Sequence, residues 1–372
     1  MASALTGPDG AAGRLAAGLI GRESACRVLA AFLAREDLPP LLFAGPESSG
    51  KRTIALRLAR AANCLAEPGE RPCGECRACR TIAALNHPDV RLLFPPARRA
   101  RKKDRAEEDE VASRMAAIVE QTPAYGPDRQ APPLDPALAI PIEAVRWVRH
   151  EMARPPFGAR RRFFIVLHAE RMTAEAANAF LKTLEEPQQQ STLVLTTSAP
   201  SMLLDTVRSR CRLVRFPAVR AEDIRQWLVA THGAGPEAAA LAAEIANGSP
   251  GRALRFLESP DDYLSPAVVE FFCNPGRGAG QVSETLDRLA GASLTTVTGS
   301  FLFLLDQTLR VRHGLPTCYA AANPDLQRRA ATLPDDYLRR AIRYVNERLG
   351  ETRLNVNRKL FLYTLLASLR RP

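Results

Sequence analysis

The stretch that most constrains this chain is Leu41 to Thr53. A short apolar run, Leu41-Leu42-Phe43-Ala44, meets the loop Gly45-Pro46-Glu47-Ser48-Ser49-Gly50-Lys51-Arg52-Thr53, and Ile54 to Arg60 follow at helical spacing. Strand, glycine-bounded loop and helix in that order aim successive backbone N–H groups, and the positive end of the helix, at one point. The pattern predicts a phosphate-holding loop, with Gly45, Ser49, Gly50, Lys51, Arg52 and Thr53 as candidate nucleotide contacts and Lys51 reaching the outer phosphates. A complete loop of this kind places a serine or threonine hydroxyl on magnesium directly after the lysine. Here Arg52 holds that place, and Thr53 comes one residue late. The competing reading is a glycine-rich turn without chemistry.

Further apolar runs read as strands: Arg91–Phe94, Phe163–Leu167 with the pattern of a buried strand, Leu193–Thr197 as another central one, and Leu213–Phe216 as the last. Amphipathic stretches lie between them, such as Ile142–Val148, and a segment that opens on Thr173 as N-cap, carries Ala177, Phe180, Leu181 and Leu184 on one face and stops at Pro187. Alternating strands and helices predict an α/β domain with a parallel sheet. Past Pro217 the strand signals cease. Three short helices are expected over 223–228, 238–245 and 253–257, with Gly248-Ser249-Pro250-Gly251 as the turn before the last, and the chain is helical from Tyr263 onward. The expected division is 1–217, 218–260 and 261–372.

Cys64, Cys73, Cys76 and Cys79 follow the loop helix, the last three spaced C-x2-C-x2-C. Four thiolates drawn together by tight turns form a closed tetrahedral site suited to structural zinc. An iron–sulfur cluster and four unconnected thiols are the alternatives. His87 reads as a capping or hydrogen-bonded loop residue, and Cys26, Cys211, Cys273 and Cys318 as buried small apolar residues.

The chain has 51 basic and 40 acidic residues, a net charge of +11 that favours polyanionic partners. No apolar run approaches the ~18 residues of a membrane span. Met1–Gly13, small and flexible in character, lacks an export pattern, which places the protein in the cytoplasm. Arg98–Arg105 holds six basic residues and Glu107–Glu110 is wholly acidic. With the proline-rich Thr122–Pro141 they predict a solvated insertion over about 97–140; a DNA contact there is the weaker reading.

Taken together, several motifs resemble those of bacterial clamp-loader subunits of the AAA+ type. They are the phosphate loop, the four-cysteine insertion after its helix, Asn86-His87-Pro88-Asp89, Asn178-Ala179-Phe180-Leu181-Lys182-Thr183-Leu184-Glu185-Glu186-Pro187 and Ser209-Arg210-Cys211. The resemblance covers essentially the whole chain. It implies a nucleotide-binding domain with a zinc module at 64–79, a three-helix lid and a helical collar. It also implies a five-membered ring with motor and delta subunits, acting on a sliding clamp and primed DNA for DNA polymerase III.

The resemblance is to a member without motor function. In motor subunits the strand before the Thr173 helix ends in adjacent Asp and Glu, for magnesium and for the attacking water. Here those places hold Leu167 and His168, and Glu170, two residues on, is expected to point elsewhere. With Arg52 in place of the hydroxyl, hydrolysis in cis is expected to be lost. Arg210 matches the arginine such subunits insert into a neighbour's ATP site, and Arg252 matches a lid arginine that contacts nucleotide. Two other readings stay open. One is an active motor, with Thr53 on magnesium and Glu170 or His168 replacing the acid. The other is ATP held without hydrolysis.

Overall fold

The computed structural model describes residues 8–35, 38–95, 138–186, 190–275, 279–315, 317–351 and 356–370. Most of the predicted insertion at 97–140, and Pro187, fall outside them. The chain divides into two compact units: Met1–Val219 with Gly248–Gly251, and Arg220–Asn247 with Arg252–Pro372.

The first unit is built on five parallel strands: β1 (Leu41–Ala44), β2 (Val90–Leu93), β3 (Arg162–Val166), β4 (Ser191–Thr197) and β5 (Arg212–Arg215). Their order is β2-β3-β4-β1-β5. Leu41–Ala44 pairs with Val194–Thr197 on one side and Arg212–Arg215 on the other. Central position explains composition: β1, β3 and β4 are buried at every residue, whereas edge strand β5 buries only Val214 of its four. Around the sheet lie α1 (Pro8–Ala16), α2 (Glu23–Ala34), α3 (Lys51–Asn63), α4 (Arg77–Ala83), α5 (Ile142–Met152), α6 (Ala174–Glu185) and α7 (Asp205–Ser209). Thr173 caps α6 by accepting the Ala176 N–H.

The N-terminal expectation needs correction. Residues 8–16 are helical, and Ala12, Leu15 and Ala16 are buried along one stripe. Ala12 and Ala16 flank Leu15 on this stripe, so alanines that suggest flexibility in the sequence serve burial, while Gly13 is exposed. Arg57 on α3 fastens its end by donating to the carbonyls of Leu15 at 2.8 Å and Ala17 at 2.6 Å.

Asn86-His87-Pro88-Asp89 has a structural task. The Asp89 carboxylate, buried ahead of β2, accepts the backbone N–H groups of Phe157, Gly158 and Ala159 at 2.9–3.0 Å and pairs with Arg162 Nε at 2.9 Å. It thereby fixes the loop that feeds β3. His87 Nδ1 accepts the Asp89 N–H at 3.1 Å.

The second unit is helical, with no strand among its described residues. It contains α8 (Ala221–His232), α9 (Pro236–Ile245), the body of α10 (Pro250–Glu258), α11 (Pro266–Cys273), α12 (Ala279–Arg288), α13 (Leu294–Arg312), α14 (Cys318–Ala321), α15 (Pro324–Thr332), α16 (Asp335–Glu351) and α17 (Arg358–Leu369). Phe271, Phe301, Leu304, Leu338, Val345 and Leu365 are central to its core. Glu244 on α9 accepts the N–H groups of Cys318 and Tyr319, satisfying the exposed start of α14. Cys318 itself is exposed, contrary to the expectation of a buried thiol; Cys26, Cys211 and Cys273 are buried.

Candidate functional site

At the C-terminal edge of the sheet, β1 runs into the phosphate loop. Gly45 donates its N–H to the Thr197 carbonyl at 3.2 Å. A Cβ at Gly45 would lie 2.1 Å from the Phe216 carbonyl oxygen, so the position admits only glycine. Ser48 and Gly50 take left-handed conformations, φ 56° and 87°, which curl the loop before α3 begins at Lys51. Lys51 is 8% exposed; its ammonium donates to the Gly45 carbonyl at 2.7 Å and the Pro46 carbonyl at 2.5 Å. Burial pulls its pKa down to about 8, opposed first by the negative charge of Glu170 and then by that of Glu47. Ser49 is buried beside it, and Arg52 and Thr53 are half-buried on the first helical turn.

Two participants are not apparent from the loop motif. Arg22 is 1% exposed, donates to the Pro217 carbonyl at 2.7 Å and lies 5.8 Å from the Phe216 ring centroid; burial lowers its pKa. The Gly248–Gly251 turn closes on the phosphate loop, Ser249 Oγ donating to the Glu47 carbonyl and the Gly251 N–H to the Ser48 carbonyl at 3.1 Å. A Cβ at Gly251 would stand 2.6 Å from that Ser48 oxygen. The signal for this contact was the Ser-Pro-Gly turn, whose distance from the loop in sequence concealed it.

The end of β3 lacks a metal-binding acid where a motor carries one. Leu167 is 3% exposed, and its N–H joins the Leu93 carbonyl at 2.7 Å. His168 then turns left-handed, φ 54° and ψ 54°, a region that residues other than glycine enter uncommonly. A single 3-10 turn, Ala169–Arg171, follows. Its effect is to send the Glu170 carboxylate to the tip of β4, where Oε1 accepts the Ser198 hydroxyl at 2.9 Å. The Glu170 side chain is 5% exposed. Burial alone would raise its pKa, but the His168 imidazole and the Ser198 hydroxyl outweigh burial and hold it down at about 2. Glu170 thus points to Ser198 at the tip of β4, the strand that pairs with β1.

Arg210 follows α7. Its Nε donates to Glu185 Oε1 at 2.7 Å and its NH1 to the Thr206 carbonyl at 2.9 Å, with 32% of the side chain exposed. Arg208 pairs with Asp205 instead. Arg252 lies in the second unit, its guanidinium carbon 5.4 Å from the Tyr263 ring centroid.

The four predicted cysteines come together, all Sγ atoms within 4.8 Å of one another. Cys73–Cys79 and Cys76–Cys64 separations are 4.0 Å. A metal with ~2.3 Å bonds to four sulfurs needs edges of about 3.8 Å. Backbone N–H groups of Cys73, Cys76 and Cys79 point at the sulfurs of Cys64, Cys73 and Cys76 at 3.3–3.5 Å. Burial opposes ionisation of Cys76, yet the N–H groups of Leu65 and Cys79 bring its thiol down to about 6, while burial pushes Cys79 up to about 12. The donor set fits a metal ion. His87 is not part of it.

A phosphate loop at the C-terminal edge of a five-stranded parallel sheet, joined to a helical unit, defines the AAA+ class of nucleotide-binding fold. The family described as DNA polymerase III, delta subunit, matches residues 21–220. The chain belongs to this family, and its curated relatives place it with the delta-prime members. It is 30% identical to DNA polymerase III subunit delta' of Bacillus subtilis, over 55% of this chain and 50% of that protein. It is 32% identical to the Pseudomonas aeruginosa subunit delta', over 50% of this chain and 45% of that one. The chain thus spans about half the length of the curated relatives it matches. A DNA polymerase III gamma subunit-related protein of Thermotoga maritima aligns over 92% of this chain and 98% of its own, with 18% identity and a TM-score of 0.44.

Proposed function

We propose that this chain is a stator-like subunit of a clamp loader, which helps to place a sliding clamp on primed DNA in the cytoplasm and does not itself hydrolyse ATP. The observation that carries this reading is the end of β3. Where a motor holds the acid that binds magnesium, Leu167 is packed into the core, and His168 is turned into a left-handed corner. Polarising a water needs both a metal and a base. Arg52, in the place of the loop hydroxyl, weakens the metal site further.

In this reading Arg210 acts outward. Its permanently charged guanidinium completes the ATP site of a neighbouring motor subunit, forking onto phosphate oxygens as charge moves in the transition state. Its half-exposed position at the end of α7 suits delivery to another chain. By this account residues 218–260 form a lid and residues 261–372 a collar that joins motor and delta subunits in a hetero-pentamer, with Arg252 steadying the lid. Cys64, Cys73, Cys76 and Cys79 hold structural zinc. The excess positive charge suits an assembly that follows a DNA backbone without reading bases.

Gly45, Ser49, Gly50 and Lys51 retain the means to hold ATP without turning it over; the buried Lys51 at the mouth of α3 favours this addition. The test of the outward role is Arg210→Ala in a reconstituted loader. DNA-stimulated ATP turnover is expected to fall by at least tenfold, and an unchanged rate removes the finger from the account.

A further inference from the structure

The edge of the sheet contains a carboxylate for which the phosphate-loop pattern has no place. We propose that Glu170 is the protein's ligand to a small divalent cation carried on the phosphates of a nucleotide at Gly45–Lys51, in place of the acid missing at Leu167. This inference rests on the nucleotide-holding reading above.

The geometry is specific. Glu170 Oε1 is fixed by the Ser198 hydroxyl at 2.9 Å, with the Ser198 N–H at 3.4 Å. Oε2 is buried and has no hydrogen-bond partner among the described residues. A buried, unsatisfied carboxylate oxygen is costly and requires an explanation such as an ion. Ser198 directly follows Thr197, whose carbonyl receives the Gly45 N–H, and the Gly45 carbonyl receives Lys51. Carboxylate and ammonium are thus attached to the two sides of a single strand-to-loop hydrogen bond. The negative charge of Glu170 is also the largest that acts on Lys51.

The chemistry of the cation agrees. Magnesium keeps several waters and takes one or two carboxylates together with substrate phosphates, rather than a cage built by protein alone. One carboxylate oxygen beside a phosphate loop meets that requirement. It does not restore hydrolysis. Glu170 used as a ligand is not available as a base, and neither Leu167 nor the left-handed His168 supplies a second carboxylate. The outcome is nucleotide held with its metal and left intact.

The test is calorimetric titration of the full chain with ATP, in magnesium chloride and separately in EDTA, for wild type, Glu170→Gln, Ser198→Ala and Lys51→Ala. Wild type is expected to bind at least tenfold more tightly with magnesium. Glu170→Gln, nearly identical in shape, should lose that difference and bind in EDTA as well as wild type or better, since a negative charge has left the site. Ser198→Ala, which frees the carboxylate, should reduce the magnesium effect, and it serves if Glu170→Gln fails to fold. Lys51→Ala should weaken binding in both buffers. A full magnesium effect in Glu170→Gln overturns the proposal. Equal wild-type affinity in both buffers overturns it while leaving the phosphate loop a nucleotide site. No wild-type binding in either buffer removes the nucleotide reading and the proposal together.

Discussion

Replacing Asp89 should damage the first unit more than any other single change to a charged residue described here. Its carboxylate is wholly buried and accepts four donors: the N–H groups of Phe157, Gly158 and Ala159, and Arg162 Nε. Asp89→Ala leaves the Arg162 guanidinium, 8% exposed, without its counter-charge, and strips three N–H groups of their acceptor. Breaking a buried pair in this way costs about 3–5 kcal/mol. For a unit of this size each kcal/mol moves the melting temperature by roughly 2–4 °C, so a fall of about 6–20 °C is expected. Asp89→Asn keeps one acceptor oxygen and should fall between the two. The pH dependence has a definite sign. The backbone N–H groups and Arg162 outweigh burial and hold the Asp89 carboxyl below its ordinary 3.8. Its contribution is therefore fully present above that value and is lost as pH falls beneath it. The assay is urea denaturation followed by circular dichroism, at pH 7 and again at pH 3. A loss below about 1 kcal/mol for Asp89→Ala at pH 7, or a wild-type-to-mutant gap that does not narrow on acidification, would refute the reasoning.

Three further outcomes follow from the same geometry. Metal analysis of the chain purified under reducing conditions should find about one zinc per chain, and Cys76→Ser should lower both the zinc content and the melting temperature; much less than one zinc in wild type contradicts the tetrahedral reading. Gly45→Ala would bring a Cβ to 2.1 Å from the Phe216 carbonyl oxygen, and it should destabilise by the upper end of the ~1–3 kcal/mol typical of overpacking, read by urea denaturation. Glu170 has a folded pKa of about 2 against an ordinary 4.5, so its stabilising share is complete above pH 4.5 and disappears as pH falls towards 2. Glu170→Gln should accordingly show a shallower acid limb than wild type, and an identical limb would count against the ionised carboxylate.

The parts legible in the sequence are those that local chemistry determines. Strands β1, β3 and β4 are continuous apolar runs because they are covered on both faces, and Thr173 announces α6 through its cap. C-x2-C-x2-C with Cys64 gave the cysteine cluster, since the spacing itself imposes the turns. Residues joined across long separations were not legible. Ser249 reaches the Glu47 carbonyl from two hundred and two positions away, and Arg22 reaches Pro217 across one hundred and ninety-five. Glu170 was visible as a residue but not as a member of the site, because its direction depends on the left-handed turn at His168, a conformation that histidine composition does not signal. Helix α1 was hidden by its small residues.

The function proposed above is that of a clamp-loader subunit that does not itself hydrolyse ATP. The most direct measurement is ATP hydrolysis by the purified full chain, with and without primed DNA. The account predicts no turnover above background in either condition. Steady turnover, abolished by Lys51→Ala, would contradict it and make the chain a motor in its own right.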